Sequence, residues 1–229
     1  MKKFLSLLLM IASVSAFGFG TTNYEQNAEI DAVLRGQTYS FTTSYVGLAT
    51  CTNGPIVRST AYALNNTVTY VAADGVNHLY KVTTAGTTAA SAPTYPGAAN
   101  EVITDGTAVM TEQTSALAAG TAEVEPSGGS YARVSYTNSL TNWAGTQGSG
   151  TTTASSGTSA TTSNNAIVNF ATPTANWVTT PAAVWAIVLY DAASAGNARR
   201  WIPLTSDQYI STGNSVSIAI GAMTIKVDQ

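Results

Sequence analysis

Two carboxylates, Glu123 and Glu125, stand two positions apart in the chain. On an extended strand such a pair shares one face at about 7 Å, within the roughly 5–10 Å between the two carboxyls of a glycoside hydrolase. Nothing beside them gives one a reason to hold a proton, so they read first as solvated charges at a strand edge. Ser130 has no histidine nearby, and the chain contains no G-x-S-x-G elbow. His78 is the single histidine and Cys51 the single cysteine, so no intrachain disulfide can form and no zinc-ligand spacing is visible. His78, next to Asn77 at a turn, reads as a surface histidine, and Cys51 as a small buried hydrophobe after a strand. Nothing in the sequence calls for a cofactor or a metal. One aromatic set remains: Tyr62, Tyr70, Tyr80 and Tyr95 fall within one short stretch. Exposed tyrosines can stack on the faces of sugars, and buried ones can fill the core of a small β unit. The sequence leaves both readings open.

The composition narrows the setting. The chain has 229 residues, 45% of them hydrophobic, which is enough for a sizeable core. Only 9% are charged, against the usual quarter or so of a soluble domain. Thr, Ser, Ala, Gly and Asn take their place and make a neutral surface that packs readily against a neighbour. The net charge is −3, and the only basic doublet of note is Arg199-Arg200, so a nucleic-acid footprint is absent. The N-terminus, MKKFLSLLLMIASVSA, has the two lysines, short apolar run and small-residue end of a Sec leader cleaved after Ala16. The apolar run is too short to span a bilayer. The competing reading is an apolar arm that docks on a partner subunit.

The elements that must position these residues are mostly strands. Residues 23–35 form one helix, with Asn23 as cap, Gln26 at the third position, an Asp31–Arg35 pair and Gly36 as the stop. Its narrow stripe of Ile30, Val33 and Leu34 is expected to lie on a sheet. Strands follow at SYVGLAT, ARVSYTN, NAIVNF, AVWAIVLY, RRWIPL and SVSIAIGAMTIKV, separated by turn residues. AVWAIVLY, residues 183–190, is apolar enough to be a central strand covered on both faces. The expected fold is mainly β, an antiparallel sandwich or jelly-roll-like body over 21–54 and 114–229. Residues 55–113 interrupt it as an inserted small β module with turns at Asp74-Gly75 and Asp105-Gly106. Residues 145–165, with no large apolar side chain, are expected to be a long exposed loop. In EPSGGSYARVSY, Gly128-Gly129 permits a tight turn, and 131–136 is expected to run as a strand.

EVEPSGGSYARVSYTN with its following NW, then NAIVNFATPTANW, VLYDAASAGNARRWIPLT and STGNSVSIAIGAMTIKVD, resemble a family of tailed-bacteriophage structural proteins, of the tail-fibre-like or minor virion kind. The helix and YVGLAT resemble that family's start. Residues 55–113 resemble a small β unit inserted in many phage tail and fibre proteins, with Met110 where that unit usually ends in tryptophan. The resemblance implies a non-enzymatic protein on the virion exterior, in a capsid decoration or a tail or collar fibre. Its implied partners are other virion proteins and further copies of itself, a trimer first, with host-surface glycan as a ligand at the four tyrosines. The alternative class is a secreted or surface-attached bacterial carbohydrate-binding protein, which a mature start at Phe17 would favour.

Overall fold

The computed structural model describes residues 9–10, 20–122, 124–156 and 160–226. The leader-like residues 1–8 and 11–19 and the carboxylate of Glu123 lie outside that set. In chain order the elements are β1 (Leu9–Met10), helix α1 (Asn23–Arg35), β2 (Thr43–Cys51), β3 (Ala61–Tyr62), β4 (Thr67–Val71), β5 (Asn77–Thr84), β6 (Gly86–Thr87), β7 (Val102–Asp105), β8 (Ala108–Glu112), helix α2 (Thr114–Ala118), β9 (Val134–Thr137), β10 (Thr161–Ser163), β11 (Val168–Asn169), β12 (Ala183–Tyr190), β13 (Ala198–Gln208), β14 (Val216–Ile218) and β15 (Thr224–Lys226). The protein is mainly β, its sheets are chiefly antiparallel, and among the described residues none closes into a barrel.

The body is organised around an antiparallel sheet in the order β13-β12-β2-β9. All eight residues of β12 are buried, as a strand with no polar alternation must be. A bulge between Val184 and Ala186 resets the alternation. Trp185 and Ala186 therefore face the same side, with Val188 and Tyr190, while Val184, Ile187 and Leu189 face the other. On the Ile187 side the sheet packs against Val168, Phe170, Trp177, Val216, Ile218 and Met223. These come from the paired strands β11 and β14 and the segments beside them. On the Trp185 side it meets Leu79 of β5 and Leu117 of α2.

The stretch around Gly128-Gly129 is shorter in strand than its alternation predicts. Both glycines have positive φ, and a Cβ on Gly129 would sit 2.7 Å from the Ala175 carbonyl oxygen. The strand β9 begins only at Val134. Tyr131 is left free of the ladder for another task. Its hydroxyl accepts the Leu48 N–H at 2.8 Å and donates to Glu125 at 2.6 Å. β9 pairs with β2 only as far as Val46, so Tyr131 satisfies the next free donor along that edge. Gly47 makes the approach possible, because a Cβ there would lie 2.7 Å from Glu125 Oε1 and 3.0 Å from the Tyr131 hydroxyl. Gly47→Ala is therefore expected to cost about 1–3 kcal/mol. Urea unfolding measures it, and an unchanged midpoint would show that Tyr131 can move aside freely.

The N-terminal helix is packed the opposite way round from its sequence pattern. Its N-cap is Thr22 rather than Asn23, with the Thr22 hydroxyl accepting the Glu25 N–H. Glu25 is buried and receives both Nε and Nη2 of Arg199 at 2.7 and 2.9 Å. Glu29 takes Arg200 at 2.8 Å. The carboxylates hold the helix to the start of β13, while Ile30, Val33 and Leu34 face solvent. The expectation that this stripe lies on the sheet is overturned, because two arginines of β13 occupy the docking ground and demand acidic partners.

Of the exposed loop expected over 145–165, residues 146–156 form one, tied to itself and to Asn165, whereas Thr161–Ser163 form β10 against β15 and Ser163 and Asn164 are buried, because backbone pairing needs no large apolar side chain. Gln147 donates to the Ala154 carbonyl, and Asn165 joins Gly150 and Thr151.

Candidate functional site

Within residues 55–113 a second antiparallel sheet runs in the order β4-β5-β8-β7, with the small pair β3-β6 beside it. The hairpin predicted around Asp74-Gly75 is β4–β5, and that around Asp105-Gly106 is β7–β8. The four tyrosines come together here. Tyr62, Tyr80 and Tyr95 are buried, at 4%, 0% and 1% exposure, and form a core with Val68, Val82, Ala108 and Met110. Tyr95 stacks on Tyr70 with centroids 4.2 Å apart and meets Tyr80 edge-on at 5.1 Å. Three of the four rings thus have no face free for a sugar in this conformation. Tyr70 is partly buried, with Tyr95 against it and the Arg58 guanidinium 5.9 Å from its ring centre.

The hydroxyls explain why tyrosine fills this core. Tyr80 donates to the Pro96 carbonyl at 2.6 Å, and Tyr62 accepts the Val57 N–H at 2.8 Å. Tyr95 donates to Asp105 at 2.5 Å. Asp105 is fully buried and also receives Arg58 and the Ala89 N–H. Burial alone would raise its pKa. The Tyr95 hydroxyl, the Ala89 N–H and Arg58 outweigh that and hold it below the ordinary value.

His78 is not at the surface. It is 4% exposed, with Nδ1 2.9 Å from Glu112 and Nε2 3.0 Å from Asp74. The pairing of β5 between β4 and β8 turns it inward, which the nearby turn residues did not reveal. Burial pulls its pKa down, but Glu112 and Asp74 pull harder and the net direction is upward. A histidine with a raised folded pKa stabilises fully below its unfolded value of about 6.5. That contribution is lost as pH rises through the folded value. The melting temperature is therefore expected to fall as pH goes from mildly acidic to alkaline, and His78→Gln should flatten that part of the profile. The same slope in the variant would assign it to another group.

Between the two four-stranded sheets lies a third cluster. Asp207 of β13 accepts from Thr69 at 2.6 Å and from Asn77 at 2.9 Å, one on each of β4 and β5. Cys51 Sγ lies 3.7 Å away. Cys51 is buried, and desolvation, with Asp207 adding to it, pushes its thiol up to about 12. It is inert packing, as its place after a strand suggests. Asp207 is itself raised by burial, opposed by the Thr69, Asn77 and Cys51 hydrogen bonds.

Elsewhere, Glu125 is engaged by Arg133 through both carboxylate oxygens, and the Arg133 guanidinium sits 3.3 Å from the Tyr190 ring centre. Ser130 meets Thr174. A cleft of about 210 Å³ lies between Ser44, Asn138, Trp143, Arg199 and Arg200. Its polar groups serve one another, with Trp143 and Ser44 both donating to Asn138 Oδ1. Sequence reasoning missed the Asp207, Asp105 and Glu25 networks, each joining residues more than ten positions apart or on different elements. Among the described residues no group of three His, Cys, Asp or Glu is placed to hold a metal, and no helix is long and apolar enough to cross a membrane.

Side chains so fully committed to joining strands, on two sheets that share one face, are those of a structural β protein. Residues 66–226 match the family described as Podophage GP4 fiber I protein gp80, and the chain belongs to that phage fibre family. The matched span takes in β4 to β15, while α1, β2 and β3 precede it. A comparison with curated proteins found no match. Family membership makes the protein a fibre component of the phage virion.

Proposed function

We propose that this protein is a non-enzymatic building block of a tailed-phage fibre, set on the particle exterior and associating with further copies of itself. The observation that carries the reading is the family match over residues 66–226. In this reading the β13-β12-β2-β9 sheet and the strands laid across its Ile187 face make a sandwich, and residues 55–113 are a module displayed on the other side. Its low charge supports close contact with virion neighbours, since neutral Thr, Ser and Ala faces join with little desolvation cost. Contact with host-surface glycan, as one role of the module, has Tyr70 as the member of the tyrosine set that reaches the surface. The test is mass spectrometry of purified particles together with antibody labelling of residues 55–113. Absence of the protein from particles that are otherwise complete would remove the reading.

A further inference from the structure

Both ring nitrogens of His78 face carboxylates. Nδ1 lies 2.9 Å from Glu112 Oε1, and Nε2 lies 3.0 Å from Asp74 Oδ2. A neutral imidazole has one N–H donor and one lone pair, whereas the imidazolium has two donors. Only the charged ring satisfies both partners. Those partners differ in their means of leaving. The Glu112 side chain is fully buried, and its oxygens also accept the Thr114 N–H and hydroxyl. The Asp74 side chain is 31% exposed and stands in the turn between β4 and β5. Asp74 Oδ1 accepts the Val76 N–H within that turn. The turn meets the neighbouring segment through the Ala73 N–H, 3.2 Å from the Tyr95 carbonyl oxygen. Asp74 Oδ2 lies against Gly97, where a Cβ would stand 2.6 Å from it.

We propose that His78 is a proton-controlled clasp on the tip of the β4–β5 hairpin. Its imidazolium holds residues 73–76 against residues 95–97, and loss of one proton to solvent releases that turn while Glu112 stays in place. The remaining N–H goes to Glu112, because a fully buried carboxylate that gives up a donor has no water to replace it. The Nε2 lone pair then faces Asp74 Oδ2, acceptor against acceptor, and Asp74 turns out to water. Among the described residues, the groups round the ring offer no second cation. Tyr70 is its partner across the strands, the Tyr80 ring centre lies 6.4 Å away, and Asp207 of β13 is bonded to Asn77. Glu101, exposed, accepts the Glu112 N–H through its carbonyl. Thr114, Leu117 and Trp185 share a small cavity with the ring, and none of them titrates. Acid therefore closes the clasp and alkali opens it. Burial disfavours the charged ring, but Glu112 and Asp74 outweigh burial and extend the closed state above the ordinary histidine range.

His78 is the only histidine, so its ring signals titrate without overlap from another. NMR on the purified full-length chain follows that ring and the backbone order of two segments, 73–76 and β8, from mildly acidic to alkaline pH. Above the ring's midpoint the order parameters of Ala73 to Val76 should fall from about 0.85 to below about 0.6, and those of β8 should stay high. Asp74→Asn keeps the shape of the turn and supplies an amide donor for the neutral ring. In that variant the midpoint should fall by about one pH unit or more, since one of two nearby negative charges is gone. Its turn should remain ordered on both sides of the midpoint. The proposal is overturned if the turn of the natural chain stays ordered through the midpoint, or if Asp74→Asn loosens as the natural chain does. Loss of order in β8 at the same midpoint would show that Glu112 lets go, which also overturns it. So would a ring that keeps its charge up to the pH at which the whole chain unfolds.

Discussion

Arg199→Ala is expected to lower the unfolding free energy by about 3–5 kcal/mol, the cost of leaving one member of a buried pair uncompensated. The guanidinium has both carboxylate oxygens of Glu25, the Tyr39 and Ser44 hydroxyls as partners, and the Phe41 ring 4.1 Å from its carbon. It therefore joins α1, the segment after it and β2 to the edge strand β13 in a single residue. Removing it should free the helix first, so amide exchange in 23–35 should accelerate beyond the global change. Arg199→Lys should not rescue, because an ammonium cannot match two carboxylate oxygens in a plane. A loss under about 1 kcal/mol would contradict the assignment of this pair as the helix anchor.

Trp185→Ala is expected to cost a similar amount, about 3–5 kcal/mol, through the cavity it leaves. The side chain is 1% exposed and lies among Leu79, Leu117 and Trp201. Those contacts join module, α2 and body, so the variant should also loosen the module. Limited proteolysis between 113 and 134 should then speed up markedly. Intact cooperativity with unchanged proteolysis would mean that the Asp207 bonds alone hold the two units together.

Much of this fold is legible from local pattern. The eight apolar residues 183–190 read as a doubly covered strand, and β12 is one. The Asp-Gly turns read as hairpins and the helix limits read to within a residue. What was not legible depends on partners remote in the chain. The stripe Ile30, Val33, Leu34 has ordinary amphipathic spacing, and only the arrival of Arg199 and Arg200 from residues far downstream turns it outward. The bulge at Trp185 leaves no mark in composition, since every residue around it is apolar. SVSIAIGAMTIKV reads as one strand but is two, β14 and β15, divided by the turn through Gly221. The tyrosine set is visible as a set, but whether its rings face in or out is decided by Asp105 and by the Pro96 carbonyl. Both are hydrogen-bond partners that no periodicity announces.

The junction between module and body has one more property. Asp207 is held there by a hydroxyl and an amide, so the alignment of the two units does not depend on attraction between opposite charges. Salt screens exposed ion pairs and leaves hydrogen bonds to neutral groups nearly untouched. The angle at which the module stands on the body should then be the same in dilute water and in concentrated brine, and a particle moving between the two would present an unaltered outline to whatever it meets.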